Sequence, residues 1–72
     1  MTIDLTAQEV TLLANKSIPF DGSYDYTDEE ALELLDQVRD AEVSYSQGTD
    51  AQSVRLYEQY GDLADKLFAL IP

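Results

Sequence analysis

The sequence predicts an all-α fold, a small three-helix bundle, and three observations carry that prediction. Two S/T-x-x-E capping boxes stand at Thr6–Glu9 and Thr27–Glu30, and apolar residues recur at three- and four-residue spacing after each of them. No stretch of the chain alternates in the two-residue period of a strand. The third observation is size. Seventy-two residues without cysteine have no disulfide or thiolate–metal staple, so they must fold through close helix packing, here as a single domain spanning 1–72.

The first element is a short helix over about 7–16, running from Ala7 to Asn15 or Lys16. The Thr6 hydroxyl is expected to take the amide of Glu9 while the Glu9 carboxylate reaches back, and Leu5 and Val10 have the spacing of a hydrophobic staple. Val10, Leu13 and Ala14 fall on one face, with Leu12 pointing elsewhere. So short a helix is marginal alone and must dock on the rest.

Residues 17–26 (SIPFDGSYDY) form an extended loop. Pro19 pushes Ile18 toward extended backbone, and Asp21-Gly22 signals a turn. Ile18, Phe20, Tyr24 and Tyr26 give the loop apolar surface to lay against the helices.

The second helix covers 28–47. Three acids in its first turn suit the helix dipole, and Ala31, Leu34, Leu35, Val38, Ala41 and Tyr45 mark its buried face. Gly48 is the expected stop. Asp50 then caps a third helix over 51–70, on which Val54, Tyr57, Gly61, Ala64, Phe68 and Ile71 share a face. The short connection makes the two long helices an antiparallel hairpin. Gly61 implies either a close helix approach or a break with Asp62 as a new cap, and Asp62 is positioned to pair with Lys66 four residues on.

Fifteen acids against four bases leave a net charge of -11, which repels phosphate backbones and anionic membrane surfaces. The expected electrostatic partners are therefore basic proteins or divalent cations, with neither nucleic acid nor membrane bound directly. Without Cys or His the usual zinc, haem, iron–sulfur and thiol chemistries lose their ligands and nucleophiles, and no cofactor is expected. The opening residues Met1-Thr-Ile-Asp-Leu show no secretory n-region, and the longest apolar run is Leu67 to Ile71, so a cytoplasmic protein is expected.

Two surfaces stand out as candidate partner-binding sites. Glu29, Glu33, Asp36 and Asp40 make an acidic ridge along helix two, which is either a solvated face or a docking surface, including a mimic of a nucleic-acid phosphate track. Leu56, Leu63 and Leu70 recur every seven residues on helix three. That stripe either receives helix one or forms an interface, a homodimer included.

Other chemistries find less support. The loop Asp21–Glu30 is rich in oxygen, which gives an alternative reading as a low-affinity divalent-cation site. An EF-hand would need Gly where Tyr26 stands and Glu where Leu32 stands. Gly48-Thr49-Asp50 begins like an acyl-carrier attachment site, but Ala51 occupies the serine position. Lys16-Ser17 has no motif around it to make a nucleophile. No catalytic residue is assigned, and the chain is expected not to be an enzyme.

The segments TIDLTAQEVTLL, IPFDGSYDYTDEEALELLDQV and LYEQYGDLADKL together resemble a group of short acidic helical proteins of unknown function from Firmicutes and their mobile elements. The resemblance implies a helical fold and no settled activity. Asp25 to Leu35 is also similar to the first helix of colicin-type immunity proteins, whose partner-binding Tyr-Tyr-Pro segment has no counterpart here. The expected function is a non-catalytic protein-interaction module or regulator. The alternative is a bacterial mobile-element inhibitor that blocks a basic groove by charge mimicry.

Overall fold

The computed structural model describes all 72 residues. It contains three helices, α1 (Ala7–Asn15), α2 (Asp28–Ser44) and α3 (Ala51–Leu70), and no strand. Each start is local chemistry. At α1 and α2 both halves of the capping box form, Thr6 with Glu9 and Thr27 with Glu30, and at α3 the Asp50 carboxylate accepts from the Ser53 amide at 3.1 Å and the Ser53 hydroxyl at 2.7 Å. These bonds satisfy donors that every helix start leaves open. They also hold the Glu30 and Asp50 carboxyls below the usual range: Glu30 through the Tyr24 hydroxyl first, then Thr27, and Asp50 through the Ser53 hydroxyl and amide.

One end differs from the sequence expectation. α1 stops at Asn15 as expected, and Ser17 turns the chain with a left-handed backbone (φ 55°). α2 ends at Ser44, three residues short of 47. Its last turn tightens into i→i+3 bonds, Tyr45 to Glu42 and Ser46 to Val43, while the Ser44 and Ser46 hydroxyls donate to the carbonyls of Ala41 and Val43. Serines that bond their own backbone compete with the helix ladder. Gly48 is therefore not a left-handed helix stop, since no glycine has positive φ. It is needed because a Cβ there would sit 2.3 Å from Cβ of Ser53, in the turn that starts α3.

The loop lies against the helices as expected of its aromatics. Tyr26 packs half-buried on the core, stacked on Phe20 and edge-on to Tyr24. Its backbone exchanges both hydrogen bonds with Met1, tying the extended N-terminal segment to the loop. That segment delivers Ile3 into the core. Asp21 accepts from the amide and hydroxyl of Ser23, which fixes the turn and holds its carboxyl low.

α2 and α3 pack as an antiparallel hairpin, and α1 with the N-terminal segment covers one side of it. One core of thirteen buried residues results. The α2 face is the one the spacing predicts: Ala31, Leu34, Leu35, Val38 and Ala41. The α3 face is not. Tyr60, Leu63, Ala64 and Leu67 are buried, while Val54, Tyr57 and Phe68 are exposed. On α1, Leu12 joins Leu13 in the core, and Val10 and Ala14 face outward.

Both corrections have one cause. α1 lies along the side of α3 that carries Leu63 and Lys66, so α3 must bury the arc between two neighbours rather than the face opposite α2 alone. The Tyr60 hydroxyl donates to the Leu12 carbonyl at 2.6 Å, and Lys66 pairs with Glu9 at 2.8 Å instead of with Asp62. Burial raises the Glu9 pKa, but the hydrogen bonds from Lys66 and Thr6 outweigh it, and the carboxyl is held below its usual value.

α3 runs unbroken through Gly61. A Cβ at Gly61 would meet only the Glu42 side chain, with Oε2 at 2.7 Å. That atom ends a flexible side chain and can move aside. Gly61→Ala is therefore expected to stabilise the fold by up to about 1 kcal/mol, the helix penalty of glycine, measured as a higher urea midpoint.

Candidate functional site

Glu29, Glu33, Asp36 and Asp40 all lie exposed on α2, on the side away from its buried residues. The helix rise of 1.5 Å per residue spreads them over about 16 Å. None is paired. The molecule has two ion pairs, Lys66 with Glu9 and the amino terminus with Asp25. Arg39, on the same helix, bridges to no acid. The ridge is thus a strip of exposed carboxylates without ion-pair partners along one helix, with Lys16 bordering the same depression as Asp40.

The leucine stripe divides. Leu63 is 1% exposed in the core, Leu56 packs half-buried against the core, and only Leu70, at 44%, reaches solvent. Burial is greatest at Leu63 in the middle of the stripe and falls off toward Leu56 and toward Leu70, the last residue of α3, so the three leucines do not form one seam. Leu63 is a core residue with no surface to offer a partner, whereas Leu56 and Leu70 keep part of their side chains at the surface.

A second surface emerges that the sequence pattern had assigned to the interior. With α1 on one side of the hairpin, the other side has no cover, and the Gly61–Glu42 approach marks it. Helical geometry of about 100° per residue places Val54, Tyr57 and Phe68 of α3 on that side, and Leu32 and Val43 of α2 opposite them. All five are exposed, Val43 and Phe68 most at 65% each. Leu32 and Val43 lie off the three- and four-residue spacing of the buried α2 face. The α3 residues were missed because they form a regular helical stripe, the usual signature of a core.

The remaining polar groups are engaged locally. Glu30 accepts from the Thr27 amide and from the Tyr24 hydroxyl, a bond that raises the Tyr24 pKa. Together with Asp21 on Ser23 and Asp25 on the amino terminus, this commits much of the loop's carboxylate oxygen to holding the fold. No three acidic side chains gather where they could hold a metal ion. The Lys16 amine lies 4.4 Å from the centre of the Tyr45 ring, itself stacked on Tyr60. It borders a shallow depression of about 310 Å³ with Ser17, Gln37 and Asp40. Lys16 and Ser17 thus stand at a turn, with the amine directed to an aromatic face. No helix is long and apolar enough to cross a membrane.

No family model, curated protein or solved structure matches the chain.

Proposed function

We propose that this chain is a non-catalytic, cytoplasmic protein-interaction module that engages a basic partner protein through the outer surface of its helical hairpin. The observation that carries this reading is the ridge of Glu29, Glu33, Asp36 and Asp40, exposed and without an ion-pair partner, next to exposed apolar side chains. Unpaired charge of one sign steers a complementary partner and favours its orientation, while apolar surface supplies affinity. The net charge of -11 puts the whole molecule behind that preference.

The test is capture from a cell extract on immobilised wild-type protein and on the triple variant Glu33→Lys, Asp36→Lys, Asp40→Lys. The expected result is a basic protein held by the wild type at about 0.05 M salt, released at about 0.5 M, and not held by the variant. Equal retention by both would dismiss the ridge.

A second reading, a mobile-element inhibitor that mimics nucleic acid, is favoured by the regular spacing of the four carboxylates along about 16 Å of helix. Adding duplex DNA to the loaded column separates the two. Displacement of the partner by DNA supports mimicry, and undisturbed retention supports a docking module.

A further inference from the structure

The exposed apolar residues are not scattered. Leu32 and Val43 are three turns apart on α2, and Val54, Tyr57 and Phe68 are one and four turns apart on α3, all on the side that α1 leaves uncovered. Two antiparallel helices with apolar rows on one side form a trough, and a trough between helices is the shape a third helix fills. On the covered side α1 already does so.

The charges around the trough say what kind of helix fits. Leu32, Val54 and Gly61 are each followed four residues on by an exposed acid, Asp36, Glu58 and Asp65, which sets carboxylates along the outer edges. Glu42 lies half-buried at the centre, and Arg39 is the one cation on this side. None of these groups has an ion-pair partner. A second copy would bring a molecule with the same net charge of -11 to this rim. A helix with lysine or arginine beside its apolar stripe meets opposite charge instead.

Gly61 adds an independent indication. The hairpin does not require it, since only the movable end of Glu42 approaches. The missing side chain leaves room that the Glu42 carboxylate occupies, which sets an unpaired acid in the middle of the α3 row for a basic side chain of an incoming helix to meet.

We infer that the uncovered side of the α2–α3 hairpin receives a basic amphipathic helix from a partner protein, seated between the Leu32/Val43 and Val54/Tyr57/Phe68 rows and crossing at Gly61. This rests on the binding role proposed above and specifies the surface and the partner's chemistry. Recognition is helix-in-groove, with apolar anchors supplying affinity and the rim carboxylates setting orientation.

The experiment titrates the isotope-labelled full chain with two synthetic peptides of about 18 residues, enough for five helical turns. One carries leucines on a single helical face and lysines elsewhere; the other has the same composition in scrambled order. The amphipathic peptide is expected to shift the amides around Leu32, Val43, Val54, Gly61 and Phe68, and the scrambled one to bind at least about tenfold more weakly. Phe68→Asp and Val43→Asp, both at highly exposed positions, should abolish the shifts with helix content unchanged. Gly61→Ala should weaken binding while its melting temperature holds or rises, which a purely structural glycine would not do. Equal binding of both peptides, or shifts confined to Glu29, Glu33 and Asp40, overturns this inference and leaves the acidic-module reading standing. A wild-type dimer in sedimentation that Phe68→Asp makes monomeric also overturns it, in favour of a second copy. If neither peptide moves any amide, the basic-partner reading falls as well.

Discussion

Leu63→Ala is expected to lower the unfolding free energy by about 2–5 kcal/mol, the cost of removing a large apolar side chain from a core that cannot fully collapse around the gap. Leu63 is 1% exposed on α3 and belongs to the single core cluster, so the cavity opens inside the packed interior. A domain of this size has about 4–11 kcal/mol in all. The variant should therefore be largely unfolded at modest urea, measured by far-ultraviolet circular dichroism. Leu70→Ala is the control. At 44% exposure it should change stability by less than about 1 kcal/mol. Equal and small effects at the two positions would show that the seven-residue stripe is a surface after all.

Tyr60→Phe is expected to cost about 1–3 kcal/mol while leaving the packing intact. The ring is fully buried and stacks on Tyr45 with centroids 5.8 Å apart, and phenylalanine keeps that contact. What is lost is the hydroxyl that donates to the Leu12 carbonyl, one of the four acceptors that the end of α1 leaves open. The same substitution changes the pH dependence. Burial, with a smaller contribution from Tyr45, raises the Tyr60 pKa above the ordinary tyrosine value of 10.0. The folded state thus holds this proton more tightly than the unfolded state. The associated stability is complete below about pH 10 and is lost as pH rises through the folded value. Alkaline denaturation should be shallower in Tyr60→Phe than in wild type. An unchanged alkaline profile would mean that the hydroxyl is not sequestered. Tyr24, raised by its bond to Glu30, titrates in the same direction and accounts for part of the slope that remains.

The boundaries of the helices were readable because they are made locally. Thr6, Thr27 and Asp50 each bond an amide three residues on, so the residues that decide the start of a helix are adjacent in the sequence. The end of α2 was misplaced by an equally local effect, the serine hydroxyls bonding back to Ala41 and Val43. The buried face of α2 was readable as well, because its apolar residues form a single arc.

α3 offers two such arcs, Val54/Tyr57/Phe68 and Tyr60/Leu63/Leu67, and no local rule chooses between them. The choice follows from where α1 docks, through a hydrogen bond between residues 48 apart and an ion pair between residues 57 apart. The acidic ridge survived the passage to three dimensions because charge on the outside of a helix needs no tertiary partner. The apolar trough did not exist in the sequence reading, since it consists of the arc left over once the core has been assigned.

By itself, then, the sequence determined an all-α chain with three helices, their starting points, the inward face of α2 and the outward acids. These depend on caps, dipoles and periodicity, interactions that act within about one turn. The tertiary structure alone decided which side of α3 is buried, that Lys66 answers Glu9, that Leu63 belongs to the core with Leu56 packed against it, and that one side of the hairpin is left uncovered. Those outcomes depend on the docking of α1, whose marginal stability in isolation ties its position to the whole molecule rather than to its own nine residues.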